Sequence, residues 1–593
     1  MSKKNFVPQL EKIKKNLKRQ KIDHFILPNS DEFFLEYLPE SEKRIQYLSG
    51  FLGSSATIII GKNKSQFFTD GRYILQAKSE LNLDDYDIFN IATTPLLSWL
   101  AGNLKKAEII AIDTKLFSIN FVKSLQKIVD EKLAKLIFVD ANPVDKIWKN
   151  RPQSPSSQIF FHDLSYSGES SSSKCKKIIN DLNADAILFN RPESVCWLLN
   201  IRAADVEYTP LLASYAILFK DGKIDLFVDE NRISNAIKTK LKHINFIHLN
   251  LIESTISTLH KRIKTIQIDP SATNFWLYKI ISNKIKIVEK VDPALILKAC
   301  KNQTEISGAI KAHQIDGLAV TKFLYWIEKN QGKIDELQAE QKLLELRQQN
   351  KDFFYPSFRS ISSFASNGAV IHYHSSPKTN KKITGNSLYL IDSGGQYPQG
   401  TTDITRTIAI GKPSKEMIEN FTLVLKGHIA LAMAKFPQGT TGLQLDVLAR
   451  AALWAVGKDY DHGTGHGVGS FLSVHEGPCS ISKRGNSELM AGMIISNEPG
   501  YYKENAYGIR IENLMLVENS ADKGFLSFQT LTLAAIDHNL INFKILNKSE
   551  KVWLKNYHQK IFFLYKDNLN TAEKSYLARS LKIYKKVVDI EEE

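Results

Sequence analysis

Asp392 ends one apolar run, SLYLID, and Asp403 opens the next, TDITRTIAI, across the glycine-containing connection SGGQYPQGTT. Further along the device recurs: Glu498 ends MIISNE, and Glu512 lies inside GIRIENLMLV after another turn. A carboxylate flanked by Leu, Ile and Met is costly to bury without compensation. Taken singly, each reads as a strand-end carboxylate bonded to Arg406 or Arg510, which lie close in sequence. Two matched pairs point instead to a dinuclear metal centre, which needs several oxygen ligands, some shared between the ions.

Histidines gather in the same region. HGTGHGVG (462–469) carries His462 and His466 at i, i+4, a spacing that binds zinc when it falls on a helix. Gly463, Gly465, Gly467 and Gly469 argue against a helix, and no glutamate follows His462. The segment reads as a glycine-lined turn whose backbone passes close to a ligand while a histidine points inward. His372 and His374 in IHYHSS and His475 in VHEGP lie among the acidic pairs, so some of these histidines are expected to act in the site.

The elements that must position these groups start near Pro293. Asn302 followed by Glu305 reads as a capping box, and Ile306, Ile310, His313, Val320, Leu324 and Ile327 follow at near-helical spacing. Further helices are predicted over about 335–347, 415–435 after Ser414, and 443–456 ending at Gly457. Strand-like runs cover 387–392, 402–410, 493–498 and 508–517. Helices and strand pairs thus recur twice, and two similar halves would bring equivalent acids around a shared centre. Upstream, the Pro- and Ser-rich stretch 151–174 marks a boundary. On either side, 56–72 and 214–232 each read as strand, turn and strand, the second turning at Asp221-Gly222. Helical stretches at 172–183 and 231–242 follow the same plan, so two related α/β domains precede the third region.

Composition bounds the rest. At 593 residues, 43% hydrophobic and 24% charged, the chain holds about three to five domains with real cores. With 30 Gly and 18 Pro it is not a disordered or collagen-like chain. No run reaches the ~18–20 apolar residues of a membrane span. The N-terminal segment has no apolar core or cleavage site of a signal peptide, and Val7, Leu10, Ile13 and Leu17 predict an amphipathic first helix. Cys175, Cys196, Cys300 and Cys479 form no C-x-x-C, which suits free thiols in a reducing cytoplasm. The net charge of +15 is carried by scattered lysines without a zinc finger, helix-turn-helix or RNP-like motif, so a solvated surface is expected rather than a nucleic-acid or membrane partner.

The run YLIDSGGQYPQGTTDITRT, then HGTGHGVGSFLSVHEGP, SNEPGYY and GIRIEN, resembles the Xaa-Pro aminopeptidases of the pita-bread metallopeptidase family, in particular their long, three-domain cytosolic type. SGFLGSSATIII, TDGRYILQA and WLLNIRAADVEYTP extend the resemblance through the N-terminal half. It implies an α/β (α+β) architecture: creatinase-like domains at 1–153 and 154–297, then a pita-bread catalytic domain with pseudo-twofold halves and a C-terminal extension at 298–593. It implies a metal ligand set of Asp392, Asp403, His466, Glu498 and Glu512, with Asp403 and Glu512 bridging two divalent ions. Mn²⁺ is the family's usual metal, and ligand type alone also admits Co²⁺ or Zn²⁺. His372, His462 and His475 match substrate-binding and proton-shuttling histidines, Glu498 matches a residue that moves a proton, and Arg510 matches an arginine near the substrate. His374 has no matching position and is read as a surface residue or one lying behind the site. The activity implied is release of the N-terminal residue before proline, by a hydroxide bridging two metals, in a cytoplasmic homodimer. Two rivals stand beside it: a prolidase-type dipeptidase, and a metal-free pita-bread binding protein.

Overall fold

Short runs of Ile, Phe and Leu, bounded by turn residues, make the strands of two six-stranded sheets. In the first, His24–Pro28, Thr57–Ile60 and Ser65–Thr69 pair antiparallel. Tyr86–Asn90 joins one edge in parallel, and Ile109–Ile112 and Lys135–Phe138 extend the other. The second sheet repeats that order and sense with Ala186–Phe189, Tyr215–Phe219, Ile224–Phe227, Ile244–Ile247, Thr265–Ile268 and Lys286–Glu289. The duplication suggested by two hairpins therefore extends to whole sheets. Gly222, at φ +87°, makes the predicted hairpin turn. The first helix, Val7–Arg19, buries Leu10, Ile13 and Leu17 as its spacing requires. The helix expected over 231–242 is shorter: a 3₁₀ turn at Glu230–Arg232 precedes Asn235–Lys240, whose start is fixed by Ser234 accepting from the Ile237 N–H.

The computed structural model describes residues 6–589, so 1–5 and 590–593 of the expected terminal domains lie outside the described residues. It divides into two units, Met1–Asp163 with Glu169–Ala294, and Leu164–Gly168 with Leu295–Glu593. Both six-stranded sheets above belong to the first unit.

The second unit follows a helix pair and a sheet, twice. Gln303–Asn330 starts at the predicted Asn302/Glu305 capping box, and Glu336–Gln348 starts at a second box of Asp335 and Gln338. They lead into a three-stranded antiparallel sheet of Ile361–Phe364, Ser387–Ser393 and Ile404–Ile410. Lys415–Ala432, capped by Ser414, and Gly442–Trp454 form the second pair. The sheet that follows orders Lys435–Pro437, Phe525–Thr530, Asn513–Asn519, Ile494–Asn497, Gly465–Gly467 and Glu476–Ile481. Phe323, Ile327, Tyr389, Val424, Leu425 and Ile429 are wholly buried in the core shared by these helices and the smaller sheet. Lys548–Tyr565 packs Leu554, Tyr557 and Ile561 into the same core.

One expected strand is broken. GIRIENLMLV divides into Tyr507–Arg510, paired with Gly500–Lys503, and Asn513–Asn519 in the larger sheet. Ile511 and Glu512 bridge the two. All four cysteines are free, and among the described residues no helix is long and apolar enough to cross a membrane.

Candidate metal centre

Strand register brings the four acids together. Asp392, next to last in its strand, faces Thr405 across the smaller sheet, and Asp403 stands just before Ile404. In the larger sheet Asn497 pairs with Asn513, so Glu498 and Glu512 leave neighbouring strands side by side. The break in GIRIENLMLV frees Glu512 from any ladder. Its N–H donates to Thr405 O at 3.1 Å, and its Oε2 accepts from Thr405 Oγ1 at 2.8 Å. One acidic pair is thereby fastened to the other.

Asp403, His466 and Glu512 present ligand atoms that all lie within 4.8 Å of one another. His466 Nε2 is 3.6 Å from Asp403 Oδ2 and 3.3 Å from Glu498 Oε1. His466 Nδ1 lies 3.0 Å from Gly467 O, a carbonyl that can only accept, so the proton sits on Nδ1 and the Nε2 lone pair faces the acids. Asp392 Oδ2 accepts from Arg510 Nη2 at 2.6 Å. Three buried oxygens, Asp392 Oδ1, Asp403 Oδ1 and Glu512 Oε1, have no hydrogen-bond partner among the described residues. An orphaned buried carboxylate oxygen costs several kcal/mol. Burial, and after it repulsion from Glu512, Asp392 and Glu498, pushes the Asp403 carboxyl well above its usual range. Burial and repulsion from Glu498 and Asp392 do the same to Glu512, and burial pushes Glu498 up to about 7. Four carboxylates here meet one guanidinium in direct contact, which leaves about three negative charges for cations to balance. The donor set fits two divalent ions.

The other predicted residues divide. His462 Nε2 meets Tyr502 Oη at 2.9 Å, and its Nδ1 lies 4.0 Å from Glu498 Oε2. His475 packs edge to face on His466 with ring centroids 4.3 Å apart. His372 is half-buried, three residues beyond the turn Ala365–Ala369. That turn lies hard against Tyr507–Arg510, since a Cβ on Gly508 would come within 1.8 Å of Gly368 O. Arg510 was expected beside the substrate. It is 2% exposed, and its donors go to Asp392, to Tyr502 Oη at 2.7 Å and to Thr405 Oγ1 at 3.1 Å, so it braces the acids from behind. Among the described residues Arg406 pairs with no acid side chain. It donates to the Thr405, Glu512 and Ala534 carbonyls, Asn513 Oδ1 and Tyr557 Oη. His374 is half-buried, its Nδ1 has no partner among the described residues, and burial lowers its pKa to about 4.

The glycines of HGTGHGVG serve the strands more than a ligand. A Cβ on Gly465 would stand 2.0 Å from Ser496 O, and one on Gly467 2.1 Å from Glu476 O. Gly465–Gly467 is a strand squeezed between two neighbours, and alternation turns His466 to the other face. Sequence reasoning missed Tyr502 and Thr405. A tyrosine and a threonine within strands carry no local mark of a polar network.

Models of the creatinase/prolidase N-terminal domain match residues 9–147 and 150–305, metallopeptidase family M24 matches 308–519, and the C-terminal region of peptidase M24 matches 524–583. The probable Xaa-Pro aminopeptidase P of Laccaria bicolor is 38% identical, over 93% of this chain and 89% of the relative. The chain belongs to metallopeptidase family M24. Xaa-Pro aminopeptidase 1 of Dictyostelium discoideum is 36% identical to this M24 chain, over 93% of it and 92% of the relative. The crystal structure of an X-prolyl aminopeptidase from Caenorhabditis elegans, described as a cytosolic enzyme with a dinuclear active site, superposes with a TM-score of 0.93 at 30% identity, covering 97% of this chain and 99% of that one. An Xaa-Pro dipeptidase from Bacillus anthracis shares the fold over 62% of this chain and 98% of its own, with a TM-score of 0.52 at 21% identity.

Proposed function

We infer that this M24 chain is a metal-dependent Xaa-Pro aminopeptidase that releases the N-terminal residue from peptides with proline in second position. The observation that carries the reading is a buried acidic centre with three unpaired oxygens, in a chain that runs nearly the full length of relatives bearing that name. Relatives that match this chain over 93% of its length bear the aminopeptidase name, which weighs against a prolidase. The full set of ligand-type residues weighs against a metal-free binding protein.

Asp392, Asp403, His466, Glu498 and Glu512 would hold two divalent ions. Oxygen-rich ligation with one imidazole favours a fairly hard ion such as Mn²⁺. Bound there, such ions would supply Lewis acidity, making a water nucleophilic near neutral pH and polarising the scissile carbonyl. The chain does the rest. Arg510 fixes Asp392, and Thr405 fixes Glu512, so the ligands hold their places without rearranging. Glu498 lies between His466 and His462, where its carboxyl group can carry a proton towards the leaving nitrogen. His462, steadied by Tyr502, with His475 and His372, holds the peptide and the developing oxyanion.

The protein acts in the cytoplasm as a homodimer in this reading. Leu443, Val447 and Trp454 lie along one face of the helix Gly442–Trp454, and each is more than 40% exposed. Such an apolar stripe suits a subunit contact. The function is tested by hydrolysis of an Xaa-Pro-Yaa tripeptide and an Xaa-Pro dipeptide, with and without Mn²⁺. Metal-dependent cleavage of the tripeptide with free Xaa released is expected; cleavage of the dipeptide alone would make the chain a prolidase.

A further inference from the structure

The helix Lys415–Ala432 supplies none of the expected ligands, yet its wholly buried His428 grips the two residues next to Glu498 and Glu512. Nδ1 lies 3.1 Å from Asn497 O, an acceptor only, so the ring carries its proton there. Nε2 is left as an acceptor and takes Asn513 Nδ2 at 3.1 Å. The His428 carbonyl accepts from Asn497 Nδ2 at 2.9 Å. On its far side Asn513 Oδ1 accepts from Arg406 Nη2 at 2.8 Å and from Tyr557 Oη at 3.3 Å. The imidazole packs edge-on against Trp553, with centroids 6.0 Å apart. Asn497 and Asn513 face each other in the ladder, one just before Glu498 and the other just after Glu512. Burial, reinforced by the charge of Arg406, lowers the His428 pKa to about 3, so the neutral donor–acceptor form persists at any working pH.

We propose that His428 is a positioning residue: by clamping Asn497 and Asn513 it fixes the spacing of Glu498 and Glu512, and so sets the affinity of the centre for divalent cations. The proposal rests on the reading of those two glutamates as ligands. A position needed only to fill the core would be met by an apolar side chain, which has no polar atoms to satisfy. Here one ring serves as donor to one strand and acceptor from the other. Leucine fills similar space but takes the acceptor from Asn513 Nδ2 and the imidazole N–H from Asn497 O, and the strand ends that carry the glutamates lose their common anchor. Partners behind metal ligands typically alter affinity by roughly 10–100-fold.

The test is calorimetric titration of Mn²⁺ into the metal-free full-length wild type, His428→Leu and His428→Gln, with thermal melts of each, followed by kcat and KM at saturating Mn²⁺. For His428→Leu the dissociation constant of at least one ion is expected to rise about 10–100-fold. kcat should fall with KM little changed, while His428→Gln, which keeps an amide donor and acceptor, recovers part of the loss. Wild-type Mn²⁺ affinity in both variants, whatever their melting temperatures, overturns the proposal and leaves a core residue. Failure of both variants to fold overturns it as well, since His428 would then serve the fold and not the spacing. A wild type that binds no Mn²⁺ overturns the ligand reading and this proposal with it; two ions bound by the wild type and equally well by both variants overturn the proposal alone.

Discussion

Asp403 and Glu512 are buried, repel each other and keep one oxygen unpaired apiece among the described residues, and a cation would satisfy both as proposed. Asp403→Asn or Glu512→Gln should abolish turnover and lower metal content, read by activity and elemental analysis of the same sample; near-normal activity in either would refute the dinuclear assignment. His475→Ala and His372→Ala, outside the ligand set, should keep both metals and lose roughly 10²–10³ in kcat/KM. Titration gives an independent handle. Glu498 is raised from 4.5 to about 7 in the folded, metal-free protein, so its protonated form is favoured by folding. The resulting stability is complete below about pH 4.5 and is lost as pH rises through about 7, with Asp403 and Glu512 acting in the same direction. Cations reverse that penalty by stabilising the ionised forms. The rise in Tm on adding Mn²⁺ should therefore be larger at pH 8 than at pH 5.5, and an equal rise at both values would separate these carboxylates from the metal. Much at this scale was legible, because acids at the ends of apolar runs are costly unless they serve a purpose. The bracing of Asp392 by Arg510 was not legible, since sequence cannot show how many of a guanidinium's donors are already taken.

Elements hold those residues at fixed spacing, and here the glycines matter most. Gly467 has the Glu476 carbonyl where a side chain would begin. Gly467→Ala should force the strands apart and cost about 3 kcal/mol, measured by denaturant unfolding, with metal affinity falling as His466 shifts. Unchanged stability would mean that the neighbouring strand yields freely. Helix starts were readable from Asn302/Glu305 and Ser414 because capping is local chemistry. The break at Glu512 was not. An unbroken apolar alternation fits one strand as well as two, and only the competition between two sheets for its halves decides where the chain leaves a ladder.

Across the molecule, the duplicated sheets show how far a pair of hairpin signals can reach. Two turns predicted a repeat, and strand order confirmed it, because hairpins fix register while the parallel edges merely follow. Assembly is the property least visible in one chain. If the Leu443–Val447–Trp454 face joins two subunits, Val447→Glu should convert a dimer to a monomer in analytical ultracentrifugation while the melting temperature stays within a few degrees; a wild type already monomeric would dispose of the idea. The Lys548–Tyr565 helix has a different consequence. Its Tyr557 hydroxyl meets both Arg406 and Asn513, the pair that steadies Glu512 from behind. A ribosome delivers that helix only after every proposed ligand has been made. Until Tyr557 emerges, a growing chain carries its acids and histidine without the brace that spaces them.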